Sequence, residues 1–373
     1  MKGAAPLVIV PHRSRPDQPF GQRRWSRRAL LAGGIGLAGL SVGCGGDADA
    51  PATPVAFATP GMAVAGFDDP TRWRGRSVVA AAWGGEVQQA LQTAVWQPFA
   101  KATGATVETT STGYALLATP VAGQGGSYAD LLLVDAIWAA SPAAERWLRP
   151  LDADLLDGGR FDRYGASRIS APAFAYAMVG SYRRDAVGER TPPAGWTDWW
   201  DLARFPGARA LGADPLGTLE FALLADGVEA GGLYPLDVDR ALTSLGRIAG
   251  EIGDHWWTRG EEPVGWLGAG EVAFASAWHH RVVAGRWNGF DLPIVWRGGL
   301  LVADRWGIPQ GARNADVAAD LIRYALDPRV QAALAMTIPL SPVDPAAFPL
   351  IDPFVAATLP TDPSRIDLLV PLD

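Results

Sequence analysis

From about residue 76 onward, short apolar runs alternate with segments whose apolar residues recur at helical spacing, and this alternation restricts the chain to an α/β architecture. The first unit shows the pattern. Residues 78–83, VVAAAW, read as a buried strand, and Val87, Ala90, Leu91, Ala94, Val95 and Phe99 then form one apolar helical face. Pro98 should kink or end that helix, and Gly104 should stop it. Residues 105–109, 128–135, 209–214, 271–278 and 299–309 read as later strands, and 314–335 is the clearest long helix, interrupted at Pro328. Such a chain is expected to build open, mostly parallel sheets, in which ligands gather at the carboxyl ends of the strands. Trp83 stands at one such end, beside Gly84-Gly85 and the free N–H groups of a helix start. Its indole either plugs the core there or lines a cleft.

With 373 residues, 49% hydrophobic and only 19% charged, the chain is expected to fold into two domains with substantial cores. No apolar run reaches the roughly 18 residues of a membrane span. The N-terminus reads as a targeting segment. Ser26-Arg27-Arg28-Ala29-Leu30-Leu31 and the Gly/Ala-rich run behind it resemble a twin-arginine export signal. Cys44, the single cysteine, ends that run after Gly43 and resembles a lipoprotein processing site, at which the thiol is acylated. A buried Gly-rich helix and a buried structural thiol are the alternatives. One cysteine permits no internal disulfide. Residues 45–75, rich in Ala, Pro, Gly and Thr, read as a flexible tether. Removal of residues 1–43 would leave 25 basic and 38 acidic residues, a net charge of −13. An acidic body argues against nucleic acid and is compatible with a cationic ligand.

Several segments, in order, resemble one family, the extracellular solute-binding proteins of ABC importers, and within it the spermidine/putrescine-binding type. They are WGGEVQQALQTAVWQPFAKATGATV, YADLLLVDAIW with ERWLRPLD, GWTDWWDLARFPGARALGADPLG, LGAGEVAFASAWHHR, the long run from Gly298 to Leu334, and PLSPVDPAA. The likeness covers nearly all of residues 77–373. It implies a two-lobed periplasmic-binding-protein-like fold (type II), hinged around a ligand cleft and crossed three times by the chain. Lobe one would be 76–180 plus 304–348, and lobe two 181–303 plus 349–373. Together with the signal and Cys44 it points to a monomer, exported and lipid-anchored at the periplasmic or cell-surface side, that hands a small cationic solute to a membrane permease without a cofactor or a chemical step.

A polyamine needs carboxylates spaced along a groove, with aromatic faces over its methylenes and cations. The resemblance places the first aromatic wall on Trp83, the second lobe's acid on Asp214, the aromatic after the Gly270-Glu271-Val272 strand on Trp278, and the acid at the second crossing on Asp304. The block after the third strand maps to Ile137 and Trp138, with Asp135 just ahead. The pattern also departs here: a second acid would fall on Gly217, an aromatic on Val302 and a late aromatic near Pro339. Trp306 is the candidate substitute for the aromatic missing at Val302, and Trp257 a candidate wall from the second lobe. Each has a plain structural alternative. Asp214 precedes Pro215 and could cap a helix, Asp304 could be a hinge hydrogen-bond acceptor, and Asp135 a loop residue. The tryptophans could all be core, the more so in a chain with 16 of them.

His279 and His280 are adjacent on a strand pattern that would turn them to opposite faces, a poor arrangement for one metal. No Gly-x-Ser-x-Gly elbow is present, and the rival reading as an exported α/β hydrolase rests on an acid/base carboxylate pair, which the many Asp and Glu residues allow but none singles out. Within the binding class, the missing acid and aromatics leave another amine, or a carboxylate at the Gly84-Gly85 amides, as the alternative cargo.

Overall fold

The computed structural model describes residues 63–111, 129–156 and 161–372. Arg27, Arg28 and Cys44 lie outside these residues, as does the tether up to residue 62. The described end of that tether is not free. Val64 is buried, Phe67 packs edge-on against Phe99 and Tyr324 at 6.1 and 5.3 Å, and the Trp73 indole donates to Asp320 at 2.9 Å. Two aromatic rings in a Gly- and Pro-rich context are enough to dock residues 63–75 on the folded body, which corrects their assignment to the tether.

Among the described residues nine strands form one sheet: β1 (Ser77–Ala82), β2 (Thr106–Ser111), β3 (Leu131–Val134), β4 (Ser170–Tyr182), β5 (Arg209–Gly212), β6 (Trp256–Trp257), β7 (Phe274–Trp278), β8 (Ile294–Gly307) and β9 (Val370–Pro371). Their order is β2-β1-β3-β8-β4-β7-β5-β6, with β9 beside β8. Two parallel wings, β2-β1-β3 and β7-β5-β6, flank the antiparallel pair β4–β8. Those two strands, 13 and 14 residues long, run through both halves of the molecule.

The apolar core divides along this seam. One cluster gathers β1, β3, part of β4 and the helices Ala315–Ala325 and Pro328–Thr337, and the other gathers β5, β7 and the helices between residues 196 and 287. Ile351, Val355 and Leu359 pack on Ala332 and Ala335 as a small cluster of their own, on the helix whose Val330 and Leu334 belong to the first cluster, and not against lobe two as expected. The last crossing falls at Leu369 and Val370, which belong to different clusters.

Four helices matter for the site: α1 (Gly85–Leu91), α2 (Gln97–Thr103), α3 (Ala136–Ala140) and, after β5, α4 (Pro215–Ala225). Pro98 neither ends nor breaks the first helical stretch. Its missing N–H leaves the Ala94 carbonyl without the usual donor, and the chain widens over Gln92–Trp96 into a π turn that joins α1 to α2. Gly104 closes α2 in the left-handed conformation at φ 75°, as the sequence predicts. A fifth helix, α5 (His279–Trp287), begins where β7 ends.

Candidate functional site

Parallel wings place the carboxyl ends of β1 and β3 together, and those of β5, β6 and β7 together. Trp83, one residue past β1, donates from its indole Nε1 to Asp304 Oδ2 at 2.6 Å. Tyr176 on β4 donates its hydroxyl to the other carboxylate oxygen at 2.9 Å. The Tyr176 ring stands edge-on to Trp278, the last residue of β7, at 5.1 Å, and Trp278 stands edge-on to Trp257 at 6.0 Å. Trp83 packs on the first core cluster, whereas Trp257 and Trp278 belong with the second. A continuous contact path, Trp83–Asp304–Tyr176–Trp278–Trp257, therefore crosses the seam.

Asp304 is only 3% exposed. Burial raises its pKa to about 7, against the two hydrogen bonds, and the nearby charge of Asp135 adds to the rise. Such a carboxyl is poised to ionise for a cation that replaces the water it lost. Asp135 is half-buried and caps α3 by accepting from Trp138 N at 2.8 Å. The Trp138 indole packs with Trp83 against a small cluster that includes Leu132 and Val134.

Two expected residues lie elsewhere. Trp306 is buried in the first core cluster, and its Nε1 has no hydrogen-bond partner, so it cannot serve as a wall in place of Val302. Asp214 is exposed and caps α4, accepting from Leu216 N at 2.9 Å. It stands at the same sheet end as Trp257, since Gly212 pairs with that residue, but no hydrogen bond joins it to the path above.

Gly217 has its own reason to be glycine. Leu216 and Gly217 adopt φ/ψ of −59°/127° and 79°/−42°, close to a type II turn that needs positive φ at its third residue. A Cβ there would run into Met178 Sδ and lie 3.0 Å from its Cε. Glu220, buried three residues on, accepts from Gly217 N at 2.8 Å and holds the turn. Gly217→Ala should lower stability by about 2–4 kcal/mol, combining left-handed strain with overpacking. Thermal or urea unfolding of the variant checks this, and an unchanged midpoint would show that the turn relaxes freely.

The histidines are structural. His279 Nδ1 accepts from Ala177 N at 3.0 Å, which puts the proton on Nε2, and Nε2 donates to the Pro339 carbonyl at 2.8 Å. Burial pushes the His279 pKa down to about 3. The His280 ring stands edge-on to Tyr176 at 6.3 Å. Both open α5 rather than sit on a strand, and among the described residues no cluster of three or more His, Cys, Asp or Glu could hold a metal.

Tyr176 and one ion pair were not foreseen. Arg281, in the first turn of α5, meets Glu86, in the first turn of α1, at 2.7 Å and so clasps the two halves beside the path. Nothing local marked either residue, because a lone charge in a helical first turn is ordinary. Tyr176 was hidden because β4 itself gave no strand signal.

Residues 94–361 match the family described as bacterial extracellular solute-binding protein. A 230-residue stretch is 33% identical to the gamma-aminobutyric acid-binding protein of Pseudomonas aeruginosa, covering 57% of this chain; the chain spans 64% of that relative's length. Similarity to the spermidine/putrescine-binding periplasmic protein of Escherichia coli is 25% identity over 273 residues, 70% of this chain and 76% of that one. The solved structure of an ABC transporter substrate-binding protein from Bradyrhizobium japonicum superposes with a TM-score of 0.73 at 31% identity, covering 80% of this chain and 94% of the other. Its fold supplies the two-lobed architecture expected from the sequence.

Proposed function

The chain belongs to the bacterial extracellular solute-binding protein family, and on that premise we propose that it is the solute-binding component of an ABC importer, holding a small amine-bearing solute at Asp304. The carrying observation is the buried carboxyl bonded to Trp83 of one half and to Tyr176, which packs on both halves and meets Trp278 of the other. An ammonium group there would pair with Asp304 while the indoles cover its carbon chain and attract the charge, each contact contributing about 0.5–2 kcal/mol. A solute touching both halves favours the closed arrangement by its differential affinity, and that closed arrangement is what a permease would read.

One buried acid suits one ammonium. This favours a monoamine such as an ω-amino acid, the chemistry named for the Pseudomonas relative, over a solute with acids at both ends. A polyamine is the second reading, supported by Asp135, whose charge is felt at Asp304 and which could take a second ammonium. Export through the Arg27-Arg28 segment, anchoring at Cys44 and action as a monomer beside its permease belong to the same proposal.

A thermal-shift and calorimetry panel on the full chain tests it, with 4-aminobutyrate, putrescine, spermidine, glucose and acetate as probes. We expect stabilisation by at least one amine, and by 4-aminobutyrate more than by spermidine. A panel in which glucose alone shifts the melting temperature would overturn the cargo class.

A further inference from the structure

One half-buried cation has no role in the amine site. Arg305 follows Asp304 on β8, and strand alternation turns its side chain to the opposite face. Its Nε is buried with no hydrogen-bond partner, and no ion pair reaches its guanidinium among the described residues. Burial pulls its pKa down, and the only opposing influence is the charge of Asp135, which is already engaged in capping α3. A buried N–H left this way in a folded protein lacks the acceptor that its desolvation demands.

The surroundings are shaped for it. Gly165, at φ +71°, lies against the guanidinium so closely that a Cβ would run into Nη2 and stand 2.7 Å from Cζ. Beside the group opens a cavity of about 590 Å³. Ile137, Val302 and Leu372 give it apolar walls, and Arg163 and Tyr164 add a cationic and a polar rim. Arg163 has one ion pair, a long and solvent-exposed contact with Asp367 at 3.4 Å.

We propose that this cavity is a binding site for a carboxylate group on a short apolar chain, with the Arg305 fork receiving both carboxylate oxygens. Planar guanidinium and carboxylate match in two parallel N–H···O bonds, and a cavity of this size holds a small organic solute. The site goes beyond the amine reading and does not depend on it. The carboxylate could be the far end of the amine cargo or a separate solute.

The probes are n-butyrate, n-butylamine and 4-aminobutyrate, measured by calorimetry on the full chain. Butyrate should bind the wild-type protein, and Arg305→Gln should weaken it at least tenfold. Ile137→Glu supplies a second variant at a position 50% exposed, where folding is safe; its carboxylate should repel butyrate at least tenfold while Arg305 stays in place. Butyrate competing with 4-aminobutyrate would assign the carboxylate to the cargo, and simultaneous binding would assign it to a second solute. Absent butyrate binding, or equal affinity in wild type and both variants, overturns the proposal. Failure of the amines alone would overturn the Asp304 reading and leave this one standing.

Discussion

Asp304→Asn should abolish amine capture and, at the same time, make the empty protein more stable at pH 8. Removing one partner of a buried charge pair costs about 3–5 kcal/mol, so the amine should bind at least 100-fold more weakly. The stability gain follows from linkage. The folded pKa, about 7, lies above the ordinary value of 3.8, so the folded state holds its proton more tightly than the unfolded chain. That contribution is fully present below about pH 4 and is lost as pH rises through 7, a change on the order of 4 kcal/mol by pH 8. Asparagine carries no charge to desolvate and can still accept from Trp83 or Tyr176. Its melting temperature at pH 8 should rise by roughly 5 °C or more. A variant that binds as well as wild type, or melts lower, would remove Asp304 from the centre of the site.

The second large effect is the pH dependence of capture. An ammonium is held by the ionised carboxyl alone, so amine affinity should fall about tenfold for each pH unit below 7, reaching roughly 100-fold by pH 5. Asp135 is the other carboxyl whose charge acts there, and burial pushes the His280 pKa well below its ordinary value. Binding near pH 6.5 should release a proton, seen as a heat that varies with the ionisation enthalpy of the buffer. The Asn variant should show neither the slope nor the proton. A flat wild-type profile between pH 5 and 8 would mean that the cation is held elsewhere.

Much of the frame was legible because its strands are short apolar runs ending in polar residues. β1, β3, β5 and β7 fall within a few residues of where those runs predict, and Asp327 and Pro328 start the last long helix just where the pattern is interrupted. The longest lesson comes from β4. Residues 170–182 are buried on both faces, carry Ala, Gly and Pro, and show no alternation, so the strand that carries Tyr176 escaped notice. Trp83 and Asp304 could be nominated from the resemblance, yet only geometry shows that they are bonded to each other. Asp214 illustrates the reverse: an Asp-Pro pair at a strand end fits a cleft acid and a helix cap equally, and here it serves as the cap. Trp306 differs from Trp278 in nothing that sequence displays; one packs inside the first cluster and the other stands at a strand end.

The first core cluster draws Val78 to Phe99 from early in the chain and Val317 to Leu334 from near its end, with all of the second cluster but the closing strand at Val370 encoded between them. During synthesis the second half can therefore assemble as soon as it emerges from the ribosome, whereas the first stays incomplete until the final sixty or so residues are made. Newly made chains must spend that interval with half an interior open to chaperones, and truncation near the C-terminus would strike the N-terminal half hardest.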